Sequence, residues 1–334
     1  MRQNCTYPVF LILLLTVALT GCRREPMPCT GAPIIFSVSP QAISSSPTKA
    51  EDLSGVTPPA RPLDKLTQDG SKIKVWGNYT MNAGANWTNI FTAELFTLSS
   101  ENWDYTHSTP GAIRRWVEGA DYRFLGAYPA DNVNSISASS DQIILSYDMT
   151  NDYDLMVAAK ETSTSTQAGD AVKLTFQHAC AAIRFVFRKG GNETESYSIK
   201  SFRLNNLRTT GTLTQTYDGI FTWVPGDLNT DDLYSSTEQW SMTSEYSGFN
   251  SGRWYFVVPQ DLPSTGSDLP TVTFSYVVGS DSPVTSSIIL PATKWEAGKL
   301  YVYYIAILPD KSTLGVQIEP WDTYLVSVDD IFSM

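Results

Sequence analysis

The sequence predicts an all-β protein made of two β-sandwich domains in tandem. Three observations carry that prediction. First, aromatic residues are plentiful, with 9 Trp, 17 Tyr and 14 Phe among 334 residues, and they are accompanied by many Thr and Ser, a mixture that suits pleated, half-buried surfaces. Second, short alternating runs recur along the chain between Gly, Pro and Asn, the spacing expected of sandwich strands. Third, residues 171–187, AVKLTFQHACAAIRFVF, alternate apolar and polar side chains in two halves. Val172, Leu174 and Phe176 form one buried face, and Ile183, Phe185 and Phe187 form the next, out of phase with the first. Period-two alternation means a strand with one face in a core. The change of phase between His178 and Ala182 calls for a bulge or a tight corner.

Taken in order, residues 1–21 read as an export signal: Arg2 precedes the apolar run 9–19, VFLILLLTVAL, which is short for a bilayer span. It ends in Leu19-Thr20-Gly21-Cys22, which resembles a bacterial lipobox. Cleavage is then expected between Gly21 and Cys22, with lipid on Cys22. Residues 22–32 are a tether. Residues 33–39, PIIFSVS, alternate Ile34, Phe36 and Val38 as a short strand. The Ser-, Pro- and Thr-rich stretch 40–62 has no periodicity and reads as protease-accessible. A strand isolated between two loose segments can leave a fold without tearing a hairpin. KIKVWGNYT, NIFTAELFTLS, EGADYRFLGAYPA, DQIILSYDM and DYDLMVAAK are the next strand candidates, and they complete an N-terminal domain over 33–168.

The polar run ETSTSTQAGD is expected to join the domains, with the second spanning 169–334. Its strand candidates are SYSIKSFRLNNL, TGTLTQTY, GIFTWV, GRWYFVVP, TVTFSYVVG, SSIILP, KLYVYYIAIL and LGVQIEPW. In the seventh, Leu300, Val302 and Tyr304 alternate with Tyr301, Tyr303 and Ile305, so both faces are apolar and the strand is central or covered. Residues 225–247 read as a polar insertion. The tail 322–334 alternates Tyr324, Val326 and Val328 and is a candidate strand for donation.

The formal net charge of −11 argues against nucleic acid as a partner, since phosphate binding needs a basic surface. HExxH, P-loop, dinucleotide and G-x-S-x-G patterns are missing from the sequence. No acidic pair stands out as glycosidase carboxylates. Asp231-Asp232 reads as a solvated loop rather than a calcium site. The chain is therefore read as neither an enzyme nor a binder of a cofactor or metal. His178 is expected to be a structural hydrogen-bonder, His107 an exposed loop residue and Cys180 a buried free thiol rather than a partner of Cys29. Trp103, Trp116 and Trp240 lie in polar stretches and are candidate ligand-binding aromatics, weighed against a packing role.

Five ordered stretches carry a family resemblance: Thr20-Gly21-Cys22, IIFSVSP with PTKAEDL, YRFLGAYP, DLMVAA followed by VKLTFQHACAAIRF, and KWEAGKLYVYYIAI. Together they resemble the fimbrillin family of Bacteroidetes surface lipoproteins, the subunits of type V pili. The resemblance implies two β-sandwich domains of transthyretin-like topology. It implies a precursor held at the outer membrane by lipid, and an envelope protease that removes the first strand. A strand of another subunit then fills the slot and builds a head-to-tail pilus that supports adhesion to a host or bacterial surface ligand. Here Lys49, before Ala50, stands where the family has its cleavage arginine. Arg61 is the first arginine after the strand, and Pro62 follows it. In the motif around His178, Cys180 and Ala182 replace the usual Leu and Lys. The alternative is an outer-membrane-anchored lipoprotein that binds glycan or protein ligands without polymerising.

Overall fold

A computed structural model describes residues 31–40, 66–82, 85–99, 104–164, 169–190, 194–237, 239–248, 253–291, 294–308 and 312–320. The named elements are strands, apart from two three-residue 3-10 turns at Pro110–Ala112 and Met149–Asn151. The first nine strands are β1 (Phe36–Pro40), β2 (Lys72–Thr80), β3 (Thr88–Ser99), β4 (Asp104–His107), β5 (Asp121–Tyr128), β6 (Asn134–Ala138), β7 (Gln142–Asp148), β8 (Met156–Ser163) and β9 (Val172–His178). Seven of them close a barrel in the order β1-β4-β3-β2-β5-β8-β9.

Alternation along the barrel strands serves two cores at once. Ile73 and Val75 of β2, Tyr122 and Phe124 of β5, and Met156 and Ala158 of β8 point into the barrel. Their neighbours Trp76, Leu125, Ala127 and Val157 point outward into a second core. A separate sheet, β14-β13-β7-β6, covers that outer face, using β13 (Thr210–Thr216) and β14 (Phe221–Pro225), which lie beyond β10 (Ala181–Lys189), β11 (Tyr197–Asn205) and β12 (Leu207–Arg208). Ile143, Leu145 and Leu213 are its inward side chains. Inside the barrel, Gly77 leaves room for two rings: a Cβ there would stand 2.8 Å from Phe124 Cδ1 and 2.9 Å from Phe91 Cδ2.

The rest of the chain forms a sandwich. The remaining strands are β15 (Leu228–Asn229), β16 (Leu233–Ser236), β17 (Trp240–Met242), β18 (Ser247–Gly248), β19 (Tyr255–Val257), β20 (Gln260–Asp261), β21 (Thr271–Val278), β22 (Val284–Ile289), β23 (Lys294–Trp295), β24 (Lys299–Ile307) and β25 (Ser312–Pro320); β15 pairs with β12, and β20 with β23, in small two-stranded sheets of their own. One sheet runs β18-β10-β24-β25 and the other β16-β11-β21-β22, with β19 and β17 added beside β10 and β11. Phe185 and Phe187 of β10 reach Phe202 and Phe274 of the opposite sheet at ring-centroid distances of 5.0 and 5.2 Å. As its two apolar faces predict, β24 is central, parallel to β10 and antiparallel to β25.

Of the two readings of the phase shift near His178, the tight corner holds: only Ala179 and Cys180 separate β9, which ends in the barrel, from β10, which starts in the sandwich. Two expectations change. The seam expected between 168 and 169 therefore cuts β9 from the barrel it closes, and β7 pairs with β13 across the expected domains. The polar stretch 225–247 is built into the sheets as β15 to β18. Its short strands carry too little alternation to be read as such.

Candidate functional site: the slot filled by the first strand

β1 occupies a slot between two strands that it joins. It runs parallel to β9, from Phe36 opposite Val172 to Pro40 opposite Phe176, and meets β4 antiparallel at Tyr105. Val172 donates its backbone N–H to the Ile35 carbonyl at 2.8 Å. Just before the strand, residues 32–34 pair with 114–116: Ile34 N–H donates to Arg114 O at 2.9 Å, and Trp116 N–H to Ala32 O at 3.2 Å. The Arg115 guanidinium also donates to the Gly31 carbonyl.

The side chains explain why the strand is held. Ile34 and Phe36 are buried and Val38 is half-buried against the same core, so the alternation read from PIIFSVS is an inward face. The Phe36 ring is met edge-on by Phe96 at 4.8 Å, Phe124 at 5.1 Å and Phe91 at 6.2 Å. T-shaped packing of this kind adds to the area term. Next to it, the buried Tyr105 hydroxyl donates to the Leu66 carbonyl at 2.5 Å, and burial pushes its phenol up to about 12. It remains a neutral donor over the ordinary pH range. The slot is thus an apolar, aromatic pocket lined on both sides by strand edges. Such a shape accepts an extended peptide by main-chain pairing, with alternate side chains setting register.

The remaining candidate residues divide. Gly21, Cys22, Lys49, Ala50, Arg61, Trp103, Tyr324, Val326 and Val328 lie outside the described residues. Trp116 is buried in the barrel, with Tyr122 edge-on at 4.7 Å. It is part of the core and presents no face to a ligand. Trp240 is half-buried, pairs with Ile199 and packs edge-on against Phe187 at 6.3 Å. His107 departs from its expected exposure: its ring packs on Phe96 at 5.1 Å and bonds Glu94 Oε2 at 3.1 Å. His178 bonds Asp154 Oδ2 at 2.8 Å, pinning the end of β9. Cys180 is a buried free thiol whose ionisation burial strongly opposes. Asp232 accepts from Arg203 at 3.3 Å, and no cluster of three metal-ligating side chains occurs among the described residues. Sequence reading missed the clamp by residues 114–116, because that segment carries no periodic pattern.

The model of the fimbrillin-like family matches residues 60–321, beginning after β1 and ending after β25. The chain belongs to that family. Its fold is similar to that of a fimbrial protein from Bacteroides vulgatus, at 14% identity and a TM-score of 0.60, covering 87% of this chain and 99% of that one. A candidate cell adhesion protein from Bacteroides ovatus is similar at 14% identity and a TM-score of 0.52, with 87% and 98% covered. No curated protein is recognisably similar in sequence. Among the described residues of this fimbrillin, no helix is long and apolar enough to cross a membrane.

Proposed function

We propose that the chain is a structural subunit of a cell-surface pilus, made as a lipoprotein precursor and assembled by strand exchange. In this reading the molecule is two tandem β-sandwich units of transthyretin-like topology. Lipid on Cys22 holds the precursor at the outer membrane. An envelope protease cuts after Lys49 or Arg61 and frees β1. A strand from the next subunit, with the tail around Tyr324, Val326 and Val328 as the candidate, then fills the slot. Head-to-tail contacts of this type do not close, so they give a filament. The finished pilus supports adhesion to a host or bacterial surface ligand.

The observation that supports the reading is β1 itself: a non-hairpin strand, bounded by sequence-irregular segments, whose aromatic side chain completes a closed barrel. The non-polymerising alternative draws no support from Trp116 or Trp240, since both rings are engaged in packing. The test is the mass of the mature N-terminus from native cells. A start at Ala50 or Pro62 without lipid is expected. An acylated Cys22 on every intact assembled chain would overturn shedding of β1 and leave an anchor or a monomeric surface protein.

A further inference from the structure

The strand β14 is an open edge with a self-complementary pattern. It pairs only with β13 among the described residues, in unbroken register from Gly211 opposite Pro225 to Gln215 opposite Phe221. Thr216 N–H donates to Ile220 O, and Gly226 N–H donates to Thr210 O. These two bonds set the phase: residues 220, 222, 224 and 226 turn their backbone groups toward β13, and Phe221 and Trp223 turn theirs outward. Pro225 also faces outward, where its missing N–H costs the sheet nothing.

The side chains follow the same alternation. Phe221 and Trp223 pack toward the core, so Ile220, Thr222 and Val224 stand on the open face. Val224 and Ile220 are the two most exposed large apolar residues described, at 63% and 60%, and they flank Thr222 symmetrically. Natural edges are usually blunted by charge, proline, bulge or cover; here the one such device is Pro225 at the end of the strand, outside the Phe221–Trp223 stretch that carries the free backbone groups. Residues 219–226, GIFTWVPG, contain no charge in a chain of net charge −11. Two other open edges, β6 and β22, lack this symmetry. β6 carries a register shift between Ser135 and Ser137. On β22 the exposed Val284 and Ile289 differ by an odd number of residues and so point to opposite faces.

We infer that β14 pairs with β14 of a second copy of this chain, antiparallel about a two-fold axis through Thr222. Phe221 of each copy then exchanges both backbone hydrogen bonds with Trp223 of the other. Thr222 faces Thr222, and Ile220 covers Val224 in both directions. The result is a continuous eight-stranded sheet. The contact is isologous and closed and leaves the β1 slot free, so it is compatible with head-to-tail assembly and would join two filaments side by side. With few residues per copy it is a weak contact.

The test uses the full chain in sedimentation velocity over a concentration series, beside Thr222→Lys and the control Thr285→Lys on β22. The wild type and the control are expected to form a dimer. Thr222→Lys, which sets like charges opposite each other, shifts dimer formation to about tenfold higher concentration or more. Circular dichroism confirms that the variants fold. As a second arm, Thr222→Cys is oxidised mildly, because directly opposed non-hydrogen-bonded residues lie within disulfide reach. It is expected to give a linked dimer well above the wild-type background, and Thr285→Cys is not. Any one of three results overturns the proposal: a wild type monomeric throughout, an unchanged Thr222→Lys, or Thr222→Cys linked no more than Thr285→Cys. Species larger than the dimer that persist in Thr222→Lys report head-to-tail exchange separately.

Discussion

The outermost described strands, β1 and β25, are held in opposite ways. β25 follows β24 closely in sequence, pairs with it from Ser312 to Pro320, and forms the edge of its sheet. β1 is distant in sequence from both neighbours, β4 and β9, and lies between them. Removing an edge strand leaves a sheet with a new edge. Removing an inserted strand opens a closed barrel and exposes a ring of aromatics at its centre. Position in the sheet, more than strand length or composition, separates a strand whose loss opens a barrel from one whose loss leaves a new edge.

The largest expected effect comes from omitting β1. A chain starting at Arg61 should lose amide protection in β4 and β9 but keep it in β10 and β24, as read by hydrogen exchange. Adding a peptide of residues 32–40 should restore the barrel signal. The Phe36→Ala peptide should bind more than ~100-fold more weakly, since truncating a buried Phe costs about 3–5 kcal/mol. Equal loss of protection in the barrel and the sandwich would erase the contrast between them.

Next in size, Phe36→Ala and Phe185→Ala in the full chain should each cost about 3–5 kcal/mol in denaturant unfolding. Only the first should speed proteolysis within residues 31–65. Gly77→Ala should cost about 1–3 kcal/mol, because the new methyl group meets Phe91 and Phe124 below 3 Å and both rings must move. Tyr105→Phe should cost about 1–3 kcal/mol by leaving the Leu66 carbonyl without its donor.

The smallest effect is alkaline. The Tyr105 phenol is raised by burial from 10 to about 12, so the fold favours its neutral form. That contribution is whole below pH 10 and is lost as pH rises through 12. The wild type should therefore lose more stability than Tyr105→Phe between about pH 10 and 12. Parallel curves would show that the Tyr105 phenol ionises alike in the folded and unfolded chains.

Much of the fold was legible because burial imposes a period on long strands. Ile73 with Val75, Phe124, and the paired runs Val172-Leu174-Phe176 and Ile183-Phe185-Phe187 all face the cores their alternation indicates. Short strands were not legible. The run from Leu228 to Gly248 holds two- to four-residue strands that only their neighbours stabilise. At the candidate site, Phe36 and its alternate neighbours were visible, but the grip of residues 114–116 was not. Trp116 illustrates the limit: in a polar sequence context it looks like a platform, and only the fold shows that it is buried in a core.

By itself, then, the sequence determined the all-β class, the inward faces of the long strands, the alternation of residues 33–39 and the family motifs. Each depends on residue type and spacing along the chain, which local sterics and burial convert directly into structure. The tertiary structure alone decided that β9 belongs to the barrel, that β7 pairs with β13 across the expected seam, and that β1 is inserted and not at an edge. Strand pairing between distant residues has no local signature. It is set by which combination of edges and faces buries the most apolar surface with every inward backbone group bonded.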